Sequence, residues 1–262
     1  YVVFGQTGTT AINLSSVAAA TGGFVINGQV AGDSSGSTVS NAGDVNGDGL
    51  ADLIVSNNPS NGVIGKTFVV FGKATTTAIN LSSVAGGTGG YVINGEGLTD
   101  SAGFAVSNAG DVNGDGLADL IVGAYRGSAS AGKSYVVFGK SGTTAINLSD
   151  VAAGTGGFLI RGATAGDSSG FSVANAGDVN GDGLADLIVG AVNASTNTGK
   201  SYVVFGQTGT TAINLSTVAT GTGGFVINGE ISGDYSGRSV SSAGDVNGDG
   251  LADLIIGAYR AN

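Results

Sequence analysis

The sequence predicts an all-β protein built from four repeats of 67 residues, and three observations support this prediction. The loop Asp-Val-Asn-Gly-Asp-Gly-Leu-Ala-Asp begins at Asp44, Asp111, Asp178 and Asp245, so its spacing is constant. Glycine contributes 51 of the 262 residues without a three-residue period, which indicates many tight turns between short strands. Short apolar runs bounded by glycine recur in each unit, and no long stretch has the helical period.

One unit from the middle of the chain contains five strand-like segments. The first is a dense apolar run, and the second alternates apolar and polar residues. The third is short and apolar, the fourth consists of small residues, and the fifth is β-branched. A single turn of helix is expected between residues 148 and 153. The five segments are, in order, 134–139, 145–149, 157–161, 171–176 and 186–191.

Repeated units of four or five short strands suit the blades of a β-propeller, in which four-stranded sheets surround an axis. The small residues of 171–176 fit a crowded inner strand near that axis. A linear β-solenoid is the rival architecture, but its coils are usually much shorter than this period. We therefore expect residues 1–262 to form a single β-propeller domain, or a segment of one, with four-stranded blades.

The two ends of the chain have the sequences of two halves of one unit. Tyr1 is the counterpart of Tyr135, and Ala258 to Asn262 are the counterpart of the segment that begins at Ala124. Four complete units would need 268 positions, six more than the 262 of the chain. We therefore expect the N- and C-terminal strands to share the blade that closes the ring. The alternative is that the chain is an excerpt from a longer array.

Composition excludes several classes of function. The chain has no cysteine and no histidine, which removes thiolate chemistry, disulfides, a Ser-His-Asp triad and imidazole metal ligands. Its 19 acidic and 9 basic residues give a net charge of −10, which disfavours binding to nucleic acid and to anionic membranes. No apolar run approaches the roughly 20 residues of a membrane-spanning helix, so no membrane insertion is expected. No acid–base pair stands out beyond the Asp-rich loops, and we do not expect an enzyme.

The Asp-rich loop has the spacing of a calcium-binding loop. Its first copy has oxygen-bearing side chains at positions 1, 3, 5 and 9, which are Asp44, Asn46, Asp48 and Asp52, and glycine at position 6. Ca²⁺ prefers about six to eight oxygen ligands, and glycine permits a tight curl round the ion. Leu50, at position 7, can offer its carbonyl oxygen while its side chain faces the core. The loop is not an EF-hand, because its twelfth position is valine or isoleucine and not glutamate.

The same residues recur in all four loops, at 44–52, 111–119, 178–186 and 245–253. These loops hold 12 of the 19 acidic residues, which would repel one another without a cation. Four Ca²⁺ ions would reduce the net charge from −10 to −2. A turn of Asp, Asn and Gly without an ion is the alternative. The candidate ligands, for about one Ca²⁺ per unit, are Asp44, Asn46, Asp48, Leu50, Asp52, Asp111, Asn113, Asp115, Leu117, Asp119, Asp178, Asn180, Asp182, Leu184, Asp186, Asp245, Asn247, Asp249, Leu251 and Asp253.

The order of these motifs resembles the FG-GAP repeat of the integrin α-subunit propeller and its bacterial relatives. The segment 169–174 stands for the Phe-Gly part, the Asp-rich loop follows, and Gly190-Ala191 stands for Gly-Ala-Pro. The proline is replaced by Tyr125, Val192 and Tyr259 in three units. The resemblance implies a propeller with calcium in the loops between the first and second strands of each blade, and a chain that starts at a third strand. Family propellers commonly have seven blades, and four blades also lie within the known range of such folds.

Three further motifs have structural explanations. An aspartate before the inner strand recurs at Asp33, Asp100, Asp167 and Asp234, where it either caps backbone N–H groups of a turn or supports the calcium loop. The segment 127–134 matches the phosphate-loop pattern, but it opens a strand and not the helix that a phosphate loop needs. Asn-Leu-Ser in each unit matches an N-glycosylation acceptor, but its Asn and Ser fit better the exposed face of an alternating strand.

These patterns predict a calcium-binding adhesion or structural module located outside the cell or at its surface. Near-identical units supply a scaffold with repeated metal sites, and its partner would be a protein, a glycan or copies of itself. One alternative is a lectin-like binder, for which Tyr125, Tyr235 and Tyr259 are aromatic candidates. Another is a subunit of a cell-surface fibre. Specificity is expected in the variable loops 57–65, 125–131 and 192–198.

Overall fold

The computed structural model describes residues 1–57 and 64–261 of the chain. Asn58 and Pro59, where the first unit departs from the repeat pattern, lie outside the described residues. The strands are β1 (Val2–Val3), β2 (Gly23–Phe24), β3 (Ile26–Asn27), β4 (Ser35–Gly43), β5 (Asp52–Asn57), β6 (Lys66–Val70), β7 (Ile79–Asn80), β8 (Gly90–Asn94), β9 (Ala105–Gly110), β10 (Asp119–Ala124), β11 (Lys133–Val137), β12 (Ile146–Asn147), β13 (Gly157–Arg161), β14 (Ser169–Gly177), β15 (Asp186–Ala191), β16 (Lys200–Val204), β17 (Ile213–Asn214), β18 (Gly224–Asn228), β19 (Ser236–Gly244) and β20 (Asp253–Ala258). The short helices are α1 (Leu14–Ala18), α2 (Leu81–Ala85), α3 (Gly127–Ser130), α4 (Leu148–Ala152), α5 (Ala194–Asn197) and α6 (Leu215–Val218).

Three antiparallel sheets repeat one topology. Their strand orders are β4-β5-β6-β8, β9-β10-β11-β13 and β14-β15-β16-β18, so each Asp-rich loop joins the first strand to the second. A two-residue strand from the following unit extends two of these sheets in parallel, since β12 pairs with β8 and β17 with β13. Neighbouring units are therefore joined by backbone hydrogen bonds at the outer edge. The other strands form two-stranded sheets, β1–β2, β3–β7 and β19–β20.

The predicted strand over 145–149 is shorter than expected, because α4 begins at Leu148. Only Ile146 and Asn147 are paired as a strand, and the backbone of Asn147 is extended immediately before α4 begins. Leu148 and Val151 of α4 are buried, and residues three apart lie on one face of a helix. The apolar spacing after Asn147 is therefore helical, which confirms the helix expected near 148–153 and shows that the strand prediction was wrong from Leu148 onward.

The core lies between successive sheets. Ile54 and Tyr91 of one sheet pack with Leu120 and Tyr135 of the next in one cluster of buried residues. Ile121 of that second sheet faces the other way and packs with residues of the third sheet. Both faces of the middle sheets are buried, which explains why their strands are continuous apolar runs and do not alternate.

The inner strands follow one another, with β4 against β9, β9 against β14, and β14 against β19. The backbones approach closely where Gly123 of β10 meets Gly170 of β14. A Cβ atom at Gly123 would lie 2.2 Å from the carbonyl oxygen of Gly170. Gly190 meets Gly237 with the same distance in the next pair of units. Glycine is therefore required at these positions so that neighbouring sheets can pack.

The sheets form an open row, and the predicted closing blade is not present. Among the described residues, β1 pairs only with β2, and β20 pairs only with β19. Ile255 of β20 is 61% exposed, whereas its counterpart Ile188 in β15 is completely buried. Units joined by equivalent contacts repeat one rotation, and a ring forms only when that rotation closes after a whole number of units. None of the helices in the described part of the chain has the length and apolar character needed to cross a membrane.

Candidate metal-binding loops

Each Asp-rich loop is curled by hydrogen bonds to its own side chains. In the second loop, Oδ1 of Asp111 accepts hydrogen bonds from the backbone N–H groups of Gly114 at 2.7 Å and Asp115 at 3.1 Å. Oδ2 of Asp111 accepts from the N–H of Gly116 at 2.9 Å. Oδ1 of Asn113 accepts from the N–H of Asp115 at 2.8 Å. Both glycines have positive φ, of 78° and 86°, which explains why the curl requires residues without a Cβ atom.

The other three loops have the same geometry. The carboxylates of Asp44, Asp178 and Asp245 accept equivalent hydrogen bonds at 2.7, 3.1 and 2.9 Å. The amide oxygens of Asn46, Asn180 and Asn247 each accept one at 2.8 Å. Asp48, Asp182 and Asp249 match Asp115, since each accepts from the leucine N–H at position 7. The predicted residues at positions 1, 3 and 5 therefore lie together in every loop.

The aspartate at position 9 has a different environment. Asp119 is completely buried. Its Oδ2 accepts from the N–H of Val112 at 2.9 Å, and its Oδ1 accepts from the N–H of Gly139 at 2.8 Å. Gly139 belongs to the Phe-Gly pair that follows β11. The recurring Phe-Gly therefore serves to fasten the end of the third strand to the base of the Asp-rich loop.

Asp52 and Asp186 make the same two contacts, with Gly72 and Gly206 as the Phe-Gly partners. Asp253 accepts only from the N–H groups of Val246 and Asn247 among the described residues. Within the part of the chain that the structure describes, no strand follows β20 that could supply the equivalent glycine. The base of the fourth loop is therefore less constrained than the bases of the other three.

Burial and the neighbouring carboxylates both raise the pKa of the buried aspartate at position 9. Burial raises the pKa of Asp119 to about 7, and the carboxylates of Asp115 and Asp111 act in the same direction. Burial also raises the pKa of Asp52 and Asp186, with neighbouring loop carboxylates contributing again. A cation beside these carboxylates would favour their charged forms.

The pKa shift is in the opposite direction for two position 1 aspartates, Asp178 and Asp245. Backbone hydrogen bonds, led by that from Gly183, lower the pKa of Asp178, and those led by Gly250 lower the pKa of Asp245. Both carboxylates are therefore held in the ionised form that a metal ion requires.

The donor atoms of the loop fit Ca²⁺. Carboxylate, amide and carbonyl oxygens are the ligands that this hard cation takes. A carboxylate has about four lone-pair sites, so the loop carboxylates that accept N–H hydrogen bonds can still coordinate a metal ion. Within residues 1–57 and 64–261, no group of three or more acidic, histidine or cysteine side chains is gathered closely enough to hold a metal ion. A cation here would therefore depend on the asparagine and on backbone carbonyl oxygens as well as on the aspartates.

The leucine at position 7 does not face the core as predicted. Leu50 is 43% exposed and Leu251 is also exposed, while Leu117 and Leu184 are half-buried. Leu117 reaches the preceding loop, because a Cβ atom at Gly47 would lie 3.1 Å from its Cδ2. Leu184 and Leu251 approach the preceding loops in the same way. The side chain therefore packs between successive loops, and this contact explains its recurrence.

Backbone hydrogen bonds also join the loops in series. In the second, third and fourth loops, the N–H of the residue before the position 9 aspartate donates to the carbonyl oxygen of the position 1 aspartate in the preceding loop, at 3.0 to 3.1 Å. The pairs are Ala118 with Asp44, Ala185 with Asp111, and Ala252 with Asp178. The four loops therefore lie side by side along one rim of the row of sheets.

The second recurring aspartate caps a turn. Oδ2 of Asp33 accepts from the N–H groups of Gln29 at 2.8 Å and Val30 at 3.0 Å, and Oδ1 accepts from the N–H of Ser35 at 2.9 Å. Asp100 caps its own turn in the same manner. These turns lead into the start of the inner strands, whereas the Asp-rich loops follow the ends of those strands. The geometry favours the turn-capping interpretation over support for a metal loop.

The segment resembling a phosphate loop contains a feature that the sequence did not reveal. Ser128, Ala129 and Ser130 have positive φ angles of 51°, 54° and 60°, so α3 is a left-handed turn. Strand β11 follows it, as expected, and no right-handed helix begins there. Ser195 to Asn197 adopt the same conformation in the next unit. Non-glycine residues rarely adopt this conformation, and no local sequence signal marked these turns.

Fold and loops together define an all-β repeat protein in which each Asp-rich loop joins the first two strands of a unit. The family model described as FG-GAP repeat matches residues 35–69, 102–137, 169–204 and 236–262. These segments make up half of the chain. The chain therefore belongs to the FG-GAP repeat family.

Several curated proteins are similar to this chain. Integrin alpha-PS2 of Drosophila melanogaster is 31% identical over 157 residues, integrin alpha-7 of Mus musculus is 33% identical over 173 residues, and integrin alpha-5 of Xenopus laevis is 30% identical over 173 residues. The aligned segments cover 57%, 64% and 64% of this chain, respectively. They cover only 10%, 13% and 16% of those relatives. The chain therefore spans only a small part of the length of these relatives.

Proposed function

We propose that the chain is a calcium-binding adhesion or structural module of the β-propeller type, acting outside the cell or at its surface. The observation that carries the proposal is the recurrence of one oxygen-rich loop geometry in four units. The position 1, 3 and 5 side chains would hold one Ca²⁺ per loop together with the leucine carbonyl oxygen, as in Asp111, Asn113, Asp115 and Leu117. The ion would supply positive charge that rigidifies the loop, and the position 9 aspartate would anchor the base.

Membership in the FG-GAP family and similarity to integrin α-subunits support the adhesion part of the proposal. The partner would be a protein or glycan at a surface. Because the units repeat one geometry and share no single catalytic pocket, a binding or scaffolding role accounts for the chain better than an enzymatic role. The succession of similar sheets supports a propeller.

Calcium binding can be tested by titration and by thermal unfolding. Isothermal titration of the chelator-treated protein with CaCl₂ is expected to show about one ion per loop, and excess calcium is expected to raise Tm. Asp115→Ala should remove one binding equivalent. Asp150→Ala is the matched control, because it removes one carboxylate from α4, outside the loops. Absence of binding heat together with an unchanged Tm would overturn the calcium proposal.

A second candidate is a subunit of a cell-surface fibre. The exposed apolar side chains of Val3 and Ile255, on the two-stranded sheets at the ends of the row, favour it. Such sheets present unpaired strand edges that can pair with another chain. Light scattering at increasing protein concentration would show growing assemblies if this candidate is correct, and a constant monomer mass would contradict it.

A further inference from the structure

A line of aromatic and arginine side chains lies at the strand ends opposite the Asp-rich loops. Tyr125 directly follows β10, and Tyr259 directly follows β20. Each of these strands begins at the end of an Asp-rich loop, so the tyrosines lie at the opposite ends of the strands. We define the aromatic–arginine band by six residues: Phe104, Tyr125, Phe171, Arg238, Tyr259 and Arg260. It crosses three successive units of the repeat.

The members of the band contact one another continuously. The ring centroids of Phe104 and Tyr125 are 4.6 Å apart, and those of Phe104 and Phe171 are 4.9 Å apart. The guanidinium carbon of Arg238 lies 4.5 Å from the centroid of Phe171 and 5.3 Å from that of Tyr259. These distances are within the range of cation–π attraction. The band is therefore a connected surface that links neighbouring units.

The band arises where the repeats differ. The positions equivalent to Phe104 hold Ser37, Phe171 and Arg238, and those equivalent to Tyr125 include Val192 and Tyr259. By contrast, the nine-residue Asp-rich loop is the same in all four units. The repeat scaffold alone does not generate the band, because the first unit has a serine where the others have phenylalanine or arginine. Its chemistry depends on the substitutions in the later units.

The band concentrates positive charge in an acidic protein. The chain has four arginines, and Arg126, Arg238 and Arg260 all lie beside tyrosine or phenylalanine rings at these strand ends. The ion pair found among the described residues joins Lys133 to Glu96, so these three guanidinium groups have no carboxylate partner there.

Carboxylates lie close to the positive charge of Arg126 and partly neutralise it. A neighbouring cavity of about 540 Å³ is lined by Arg126 and Lys133, but also by Glu96 and Asp100. The opposing charges in the cavity reduce its attraction for an anion. Arg260 has equivalent neighbours, because Glu230 and Asp234 correspond to Glu96 and Asp100, and its N–H donates to the carbonyl oxygen of Asp234 at 3.3 Å. Arg238 instead replaces the phenylalanine of the two preceding units and lies exposed against the rings of Phe171 and Tyr259. Arg238 is therefore the main cationic group of the band, and Arg260 adds a second guanidinium beside the same Tyr259 ring.

We propose that the aromatic–arginine band binds an acidic segment of a partner polypeptide. A guanidinium stacked on a ring keeps its N–H edge available for bidentate hydrogen bonds to a carboxylate. Arg238 covers the face of Phe171, so a ligand meets charge before it meets a free ring face. The chain also lacks tryptophan, the aromatic residue with the largest face for stacking. These observations favour acidic side chains over the sugar rings of a glycan as the recognised groups.

This inference rests on the adhesion part of the proposed function and names the class of partner. It does not depend on the calcium part, because the band and the Asp-rich loops occupy opposite ends of the strands. Calcium titration and peptide binding are separate measurements, so failure of one is distinguishable from failure of the other. Both can be made on the full 262-residue chain.

The test is fluorescence anisotropy with a labelled glutamate-rich peptide, at low salt and in the presence of calcium. We expect saturable binding that weakens as salt is added, and no binding of the matched glutamine-rich peptide. Arg238→Gln combined with Arg260→Gln is expected to weaken binding at least about tenfold, because two charged contacts are lost. Arg238→Lys should lose part of the affinity, since lysine lacks the planar fork.

Arg161→Gln is the matched control, because it removes the fourth arginine, which lies at the end of β13 and outside the band. It is expected to leave peptide affinity nearly unchanged. An equal loss in Arg161→Gln and in the double variant would overturn the proposal in favour of diffuse electrostatic attraction. Binding of hyaluronate that requires Arg238 and Arg260, with no binding of the glutamate-rich peptide, would overturn it in favour of an acidic polysaccharide. Unchanged thermal unfolding would show that the variants remain folded.

Discussion

The carbonyl oxygen of Asp44 accepts a 3.0 Å hydrogen bond from the backbone N–H of Ala118, which belongs to the next Asp-rich loop. This bond joins the first candidate ligand of one unit to the residue before the buried aspartate of the next. Equivalent bonds join Ala185 to Asp111 and Ala252 to Asp178, so each Asp-rich loop is hydrogen-bonded to the next. The loops behave as a connected series and not as four independent turns.

Leu184→Ala tests the side-chain part of this connection. Leu184 packs against Gly114 of the preceding loop, so its truncation is expected to lower the free energy of unfolding by about 1 to 2 kcal/mol, as for a partly buried leucine. Leu50→Ala is the control, because the first Asp-rich loop has no preceding loop to contact. Urea denaturation measures both. Equal losses in the two variants would contradict the assigned role of position 7.

Gly123→Ala tests the close approach of neighbouring sheets. The added Cβ atom would lie 2.2 Å from the carbonyl oxygen of Gly170, a backbone atom that cannot move aside without shifting a strand. We expect a loss of about 1 to 3 kcal/mol of stability, as for other overpacked sites. Gly142→Ala, at a position with nothing within 4 Å, should be nearly neutral. A neutral Gly123→Ala variant would show that the sheets are farther apart than described.

Tyr91→Phe is expected to stabilise the protein. The Tyr91 hydroxyl is buried and has no hydrogen-bond partner among the described residues. Phenylalanine occupies the equivalent position in the other units, at Phe24, Phe158 and Phe225. Removing an unpaired buried hydroxyl should raise the free energy of unfolding by about 1 kcal/mol.

Tyr135→Phe provides the contrast, because the Tyr135 hydroxyl donates to the carboxylate of Glu96 and its loss should destabilise the protein. Chemical denaturation of both variants measures the difference. A clear loss of stability in Tyr91→Phe would reveal a partner for its hydroxyl, such as a bound water molecule.

The ion pair of Glu96 and Lys133 predicts a pH dependence. Burial of Glu96 favours its neutral form, but hydrogen bonds from Lys133 and Tyr135 and the charge of Lys133 outweigh burial and lower the pKa of Glu96. Because the folded pKa lies below the unfolded value of about 4.3, the pair contributes stability above that pH. The contribution is lost as the pH falls through the folded pKa.

Lys133→Ala is therefore expected to raise the pKa of Glu96, as followed by NMR of its side-chain carboxyl carbon. Lys140→Ala is the control, since Lys140 lies over the ring of Tyr91 and has no contact with Glu96. A Glu96 pKa that responds to neither substitution would contradict the assigned ion pair.

The regular part of the fold could be predicted from the sequence because its signals are local and repeated. The β-branched runs and the constant spacing of the Asp-rich loop correctly indicated an all-β repeat protein. The segment after Asn147 was mistaken for a strand, because a short apolar–polar alternation also fits the one-face spacing of Leu148 and Val151 on a helix. Closure of the ring could not be predicted, because it depends on the rotation between units, which no local pattern encodes.

The site shows the same division. The spacing of the Asp-rich loop indicated that positions 1, 3 and 5 lie together, because their contacts are local, and their role as metal ligands stays a prediction. The spacing could not predict that Asp119 is buried and bonded differently from positions 1, 3 and 5, because its partner Gly139 lies at the end of a later strand. Leu117 was assigned to the core for a similar reason, since its true neighbour, Gly47, belongs to another unit. Contacts between units are long-range, and a pattern within one unit does not reveal them.

The placement of carboxylates and guanidinium groups at opposite ends of the same strands gives the molecule an electric dipole. In an external field such a molecule adopts a preferred orientation before any contact is made. An acidic partner segment would therefore meet less repulsion at the end that carries Arg238 and Arg260 than at the Asp-rich rim. This effect acts over roughly one Debye length, about 8 Å at physiological ionic strength, and cations bound at the rim as proposed would reduce it.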